Sequence, residues 1–298
     1  MMNTNVIAKE DELYPRLLKE IKDAPKKLYY KGRWDVCLFE ACLAVVGTRR
    51  MTTYGKRVCE ELVGEIASAG ITIVSGFMYG IDATGHQAAL RAGGKTIAVM
   101  PCGIERIHPE YQKELYEEIL ECGGLAISEY EGNLLPALWT YPKRNRIVAG
   151  LSQATVVIEA GEKSGSLITA NFARMYGRKL FAVPGPITSV VSQGTLGLLG
   201  EGATVVKSAD TILEYYRSIG VSFSGNAHKE FSPHADSGQA QDASTLEQRI
   251  LEHLRRESME LDVLSRTIGV PAAQLGATLS LMQLNGFITE ESGKYYVR

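Results

Sequence analysis

Two blocks of this chain gather the side chains that hold anions. The first, Tyr141-Pro142-Lys143-Arg144-Asn145-Arg146-Ile147-Val148-Ala149-Gly150, offers cations and an amide. The second, Lys163-Ser164-Gly165-Ser166-Leu167-Ile168-Thr169-Ala170, offers a lysine, two hydroxyls and a glycine. Each stands at a predicted helix start, where free backbone N–H groups and the positive end of the helix dipole favour phosphate. Between them Ala154-Thr155-Val156-Val157-Ile158-Glu159 reads as a buried strand. From Tyr141 to Lys179 seven basic residues meet two acidic ones, a local net of +5 in a chain of net −2. A charge run is ordinarily a solvated face. The interleaved glycines and hydroxyls bring the anion-binding reading level with it. No acid–base pair, nucleophile triad or metal cluster accompanies these blocks. They fit the holding of phosphates and not their cleavage.

Two further turns present similar groups. Gly47-Thr48-Arg49-Arg50 follows an apolar run; Gly47 permits a tight turn, and Thr48 and Arg49 can donate to a phosphate. Ser75-Gly76-Phe77-Met78-Tyr79-Gly80-Ile81-Asp82 is framed by Gly76 and Gly80, and Asp82 reads as structural because its carboxylate suits the helix dipole but repels phosphate. Phe77 and Tyr79 either stack on bases or belong to the core. Tyr141 or Trp139 could supply a stacking ring, and Tyr141 could equally make a capping contact. Pro142 predicts an extended Tyr141. A dinucleotide site would show G-x-G-x-x-G at the first turn and an acidic residue ending the second strand. Neither hallmark is present, and no cofactor is expected.

The elements that must position these turns alternate. Strands are predicted at Leu43–Val46, Ile71–Ser75, Lys95–Met100, Leu125–Ser128, Ala154–Glu159 and Lys179–Val183, with helices between them. Apolar strands alternating with helices mean an α/β fold, an extended Rossmann-like parallel sheet covered on both faces. The predicted organisation is a preamble over 1–40 packing on that domain, the sheet domain over 41–217, a flexible linker over 218–243 and a small domain over 244–298. The linker reading rests on Gly, Ser, His, Gln and Asp content. The last segment shows three short helices and a hairpin around Gly293, the pattern of a winged helix. Its segment Pro271–Leu284 contains no Lys or Arg, and Leu246–Arg298 carries six basic against seven acidic residues. Cys37, Cys42, Cys59, Cys102 and Cys122 form no C-x-x-C pair, which suits a reducing cytosol and no metal site. No signal core or membrane-length apolar run is present, so a soluble cytoplasmic protein is expected.

Taken together, Gly47-Thr48-Arg49, Ser75-Gly76 with Gly80-Ile81-Asp82, Arg144-Asn145-Arg146 through Ser152, Lys163-Ser164-Gly165-Ser166 and Val183-Pro184-Gly185 resemble the DNA-processing protein A (DprA, or Smf) family. The preamble Tyr14-Pro15-Arg16-Leu17-Leu18 is similar to that family's approach to the same domain, and the match spans most of Glu10 to Tyr216. The resemblance implies a protein that binds single-stranded DNA and loads the RecA recombinase on it, as in natural transformation, without nucleotide hydrolysis. Homodimerisation is expected with it. The implied DNA-binding residues are Thr48, Arg49, Tyr141, Lys143, Arg144, Asn145, Arg146, Lys163, Ser164, Gly165 and Ser166.

The chain departs from the family pattern at His108-Pro109-Glu110-Tyr111-Gln112, at Met78-Tyr79 and at Gly194-Thr195-Leu196. It opens almost at the preamble, so the sterile-alpha-motif-like module of many members is expected to be absent. The rival expectation is a nucleotide-sugar hydrolase of the lysine-decarboxylase-like group, which shares the sheet architecture. That group follows a Pro-Gly-Gly-x-Gly-Thr run with a catalytic Glu. Here the turn reads Gly161-Glu162-Lys163-Ser164-Gly165-Ser166, with no Glu before Lys179. A scaffold with a vestigial anion pocket is the third.

Overall fold

In the computed structural model the chain is described over residues 5–221, 246–256, 259–284, 287–291 and 293–297. It divides into two compact units, Met1–Lys229 and Glu230–Arg298. From 222 onward the predicted linker lies outside the described residues.

The first unit begins with β1 (Asn5–Ala8), α1 (Arg16–Lys19), β2 (Lys27–Gly32) and β3 (Cys42–Val46). It continues through α2 (Thr53–Ser68), β4 (Thr72–Ser75), α3 (Ile81–Arg91), β5 (Thr96–Val99), α4 (Lys113–Glu121) and β6 (Leu125–Ser128). Then come α5 (Thr140–Leu151), β7 (Ala154–Val157), α6 (Ser166–Met175), β8 (Lys179–Ala182), α7 (Gln193–Gly200), β9 (Thr204–Val205) and α8 (Ala209–Ser218). The strands form one sheet in the order β1-β2-β6-β5-β4-β3-β7-β8-β9. From β6 across to β9 all pairings are parallel.

The preamble does more than pack on this sheet. β1 and β2 extend it antiparallel from β6, with Tyr30 opposite Ile127. Lys31, although buried, lies 2.9 Å from both carboxylate oxygens of Glu105 and ties the added strand to the loop after β5.

Strand periodicity separates the two cores. Ala44, Val46, Val74, Val99 and Val157 face Leu18 of α1, Ile147 and Leu151 of α5, and Ala170 of α6. Leu43, Val45, Ile73 and Val156 face Leu62 and Ile66 of α2, Ala89 of α3, and Ile212 and Tyr216 of α8. Both faces are dry, which explains why the strands read as continuous apolar runs.

Because β3 leads to β4 on one side while β7 pairs on the other, the strand order reverses between β3 and β7. Such a reversal opens a crevice beyond the strands' carboxyl ends. It falls where Gly47 and Glu159 leave their strands.

The second unit contains α9 (Leu246–Arg256), β10 (Met259–Glu260), α10 (Leu261–Ile268), α11 (Ala272–Leu284), β11 (Ile288–Glu291) and β12 (Lys294–Val297). Gly269, at φ 73°, closes α10 in the left-handed cap that glycine favours. The helices bury Ile250, Leu264, Leu275, Leu279 and Met282 against Ile288. The hairpin gains a third strand, β10, paired with β12.

Candidate functional site

A pocket of about 410 Å³ occupies the crevice, walled by the turns after β3 and β4, the first turns of α5 and the start of α6. Its shape depends on glycines. A Cβ on Gly47 would lie 2.6 Å from Ile81 Cγ1, and one on Gly80 would lie 2.5 Å from the Thr48 carbonyl oxygen. Gly80 also has φ 84°, which a side chain would oppose. The turns are bonded to one another: Thr48 N–H donates to Glu159 O at 2.7 Å, and Ile81 N–H to Thr48 O at 3.3 Å. Glu159 is buried and accepts from Thr52 N at 2.9 Å and Thr52 Oγ1 at 2.6 Å. Thr52 in turn caps α2 by accepting from Gly55 N. Sequence reasoning passed over Glu159 and Thr52 because their partnership spans 107 residues.

Arg49 stands exposed at the mouth. Its Cζ is 5.3 Å from the Tyr141 ring centroid and 5.6 Å from that of Tyr79. Two aromatic faces therefore orient one guanidinium that makes no ion pair with a carboxylate among the described residues. Tyr141 is fixed at its far end, its hydroxyl 2.8 Å from His108 Nε2. Burial and the nearby Arg49 charge lower the His108 pKa, so this imidazole is neutral near pH 7. Arg50 and His108 were not placed in the site by the sequence, whereas Tyr79 was offered there as a stacking ring or a core residue and lines the pocket. Arg50 lines the pocket beside Arg49, and Tyr79 is 43% exposed.

Contrary to the sequence reading, Tyr141 is not extended. α5 begins at Thr140, and Tyr141 and Pro142 lie in its first turn. Proline is tolerated there because the first-turn N–H groups have no intrahelical acceptor. Thr140 holds the approach, accepting from Ala137 N at 3.1 Å and donating to Ala137 O at 2.8 Å. Phe77, offered as a stacking ring, is fully buried with φ 56° and belongs to the core.

Arg144 and Arg146 also take different roles. Arg144 is 3% exposed; Nη1 donates to the carbonyls of Gly76 and Val99, and Nε donates to Asn145 Oδ1 at 3.2 Å. Burial lowers its pKa to about 10, and the Asp82 charge works in the opposite direction. Asp82 accepts from Met78 N at 3.4 Å, and burial pushes its carboxyl up to about 6 against the pull of Arg144. A Cβ on Gly76 would meet both Arg144 Nη2 at 2.5 Å and Asp82 Oδ2 at 2.7 Å. Arg144 thus lines the pocket floor with its guanidinium tied to backbone carbonyls. Arg146 is 4% exposed and outside the pocket, its Nη2 2.6 Å from Glu129 Oε1 and its Nε 3.4 Å from Asp23 Oδ2. It is a structural ion pair in this geometry.

Thr48, Arg49, Tyr141, Arg144, Asn145, Ser164, Gly165 and Ser166 do converge on the pocket. Asn145 Nδ2 donates to Gly165 O at 3.2 Å, and the hydroxyls of Ser164 and Ser166 are 2.8 Å apart. Lys163 is exposed beside them but does not line the pocket, and Lys143 faces a neighbouring cavity. The local surplus of +5 is therefore dispersed. Arg174 pairs with Glu201 at 2.8 Å and Arg178 with Glu20 at 3.4 Å. What remains exposed around the crevice is Arg49 and Arg50 on the pocket itself, Lys163 beside it and Lys143 on the neighbouring cavity, over hydroxyl and amide donors. No helix among the described residues is long and apolar enough to cross a membrane.

Comparison with known proteins gives the same frame. The family model for DNA recombination-mediator protein A matches residues 5–217, and that for the DprA winged helix domain matches 234–294. Protein Smf of Escherichia coli is 35% identical over 295 residues, covering 98% of this chain and 77% of the relative. DNA processing protein A from Streptococcus pneumoniae superposes with a TM-score of 0.67 at 39% identity, over 71% of this chain and 74% of that one. DNA processing protein A from Helicobacter pylori, solved for its single-stranded DNA binding mode, gives 0.65 at 32% identity, over 73% of this chain and 97% of that one.

Proposed function

This chain belongs to the DNA recombination-mediator protein A family, and from that premise we propose that it binds single-stranded DNA at the β3–β7 crevice and delivers the strand to the RecA recombinase. The observation that carries the reading is Arg49, exposed at the mouth between the rings of Tyr79 and Tyr141. A cation beside aromatic faces serves a ligand that alternates phosphates with bases. Thr48, Asn145, Ser164, Gly165 and Ser166 supply donors for a phosphate. Lys143 and Lys163 add charge along the strand's path, and Tyr141 offers a ring to a base. Gly47, Gly76, Gly80, Asp82, Arg144 and Arg146 hold the scaffold. The protein acts without catalysis, in the cytoplasm, as a homodimer, since two linked DNA sites raise the effective concentration for a second contact.

Fluorescence anisotropy with labelled oligothymidylate tests this. Four exposed cations predict a log–log salt slope of roughly −3, at about −0.7 per phosphate contact. Arg49→Ala and Lys163→Ala should each weaken binding by roughly ten- to a hundredfold, the worth of a charge-assisted bond at ~1.5–3 kcal/mol. Both variants should melt like the parent chain because both side chains are exposed. A flat salt response, or full retention of affinity by both variants, overturns the assignment.

A further inference from the structure

A second cavity, of about 1010 Å³, adjoins the first. Pro142 lines both, so the start of α5 is the ridge between them. Tyr141 faces the first cavity; Lys143 and Trp139 face the second. The far wall comes from the preamble, through Lys26 and Lys27 at the start of β2.

Four cations and two carboxylates line this cavity. Arg146 takes up both acids, Glu129 and Asp23, from a buried position. Lys143 leans on Glu129 at 3.3 Å but keeps 44% of its side chain exposed. Lys26 and Lys27 are exposed, and the cavity keeps a cationic surplus. Trp139 is 57% exposed although it is among the largest apolar side chains. Its ring is held in place, edge-on to Tyr130 at 5.8 Å with Lys143 Nζ 5.9 Å from its centroid. An exposed indole in a cavity that also presents the exposed Lys26 and Lys27 is the pairing of stacking platform and charge that single-stranded nucleic acid requires.

Resting on the proposed function of the first pocket, we propose that this second cavity is a further nucleotide subsite. The strand leaves the Arg49 pocket, crosses Pro142, stacks a base on Trp139 and lays the following phosphates against Lys26 and Lys27. The preamble strands are therefore part of the binding surface as well as an extension of the sheet.

Trp34 and Trp139 are the two tryptophans of the chain. In a Trp34→Phe chain, emission reports on Trp139 alone. Oligothymidylates of increasing length are titrated into this chain. The shortest fill only the first pocket and leave emission unchanged, whereas longer ones quench it. A Lys26→Ala/Lys27→Ala double variant should bind the shortest oligomers like the parent. It should lose about tenfold toward long ones and show a salt slope shallower by about 1.4, at about 0.7 per lost contact. Trp139→Ala should weaken long oligomers by about tenfold or more, as for loss of a base stack. Long-oligomer binding that depends on Arg49 but neither quenches Trp139 nor responds to Lys26 and Lys27 overturns the second subsite and leaves the first standing. Failure of all oligomers to bind overturns the first pocket and this proposal with it.

Discussion

Arg144→Ala separates a strut from a ligand. In the parent chain the buried guanidinium donates to the carbonyls of Gly76 and Val99 and faces the Asp82 carboxylate. Truncation leaves two carbonyls without their donor and removes the charge that acts on the buried Asp82 carboxylate. Removing a buried, hydrogen-bonded cation in this way costs ~3–5 kcal/mol, on the scale of losing one partner of a buried pair. For a unit the size of Met1–Lys229, each kcal/mol moves the melting temperature by about 2–4 °C. The melting temperature should therefore fall by about 6–20 °C, read by calorimetry or circular dichroism. Single-strand affinity, measured well below the lowered transition, should fall less than about tenfold, because the exposed cations at the mouth are unchanged. Arg144→Lys should fall between, since a lysine keeps the charge but lacks the guanidinium fork that reaches two carbonyls. An unchanged melting temperature combined with a hundredfold loss of affinity would refute this reasoning and return Arg144 to the role of phosphate ligand.

Three other outcomes follow from the same geometry. Asp82 has its carboxyl raised from 3.8 to about 6, so the folded chain binds its proton more tightly and stability from this group declines as pH rises through that window. Asp82→Asn removes the decline, and its melting temperature relative to the parent should improve from about pH 4 to about pH 6; a constant difference would contradict the shift. His86, whose pKa burial lowers to about 3, acts in the opposite sense in both chains and cancels from that difference. A chain ending at Val221 should keep single-strand affinity within tenfold, because Leu246–Arg298 has a net charge of −1 and gains little from counterion release; a larger loss would give the winged helix a direct DNA contact. Delivery to RecA is measured by strand exchange on single strands already coated with single-strand-binding protein, and absence of stimulation would remove that part of the proposal.

Much of the site was legible because its signals are local. Apolar runs of four to six residues gave β3 to β8, though not the two-residue β9, and glycines at their ends gave the turns, because a residue's period and the freedom of its φ are properties of short segments. Arg49, Ser164 and Ser166 were legible for the same reason, each lying at the turn that presents it. The Arg-Asn-Arg block was legible as a motif but not as a division of labour. Whether Arg144 or Arg146 meets solvent depends on carbonyls and carboxylates that the fold supplies from Gly76, 68 residues away, and from Asp23, 123 residues away. Local charge likewise gave a surplus of +5, and only tertiary contacts decided that most of it is spent on Glu129, Asp23, Glu201 and Glu20. The preamble strands escaped the reading because each is half-polar and defined by its neighbour, β1 by β2 and β2 by β6. Sequence determined the alternation, the turns and the chemical classes of side chain available. Tertiary structure decided which cations remain free, since burial and pairing are set by groups that meet only when the sheet closes.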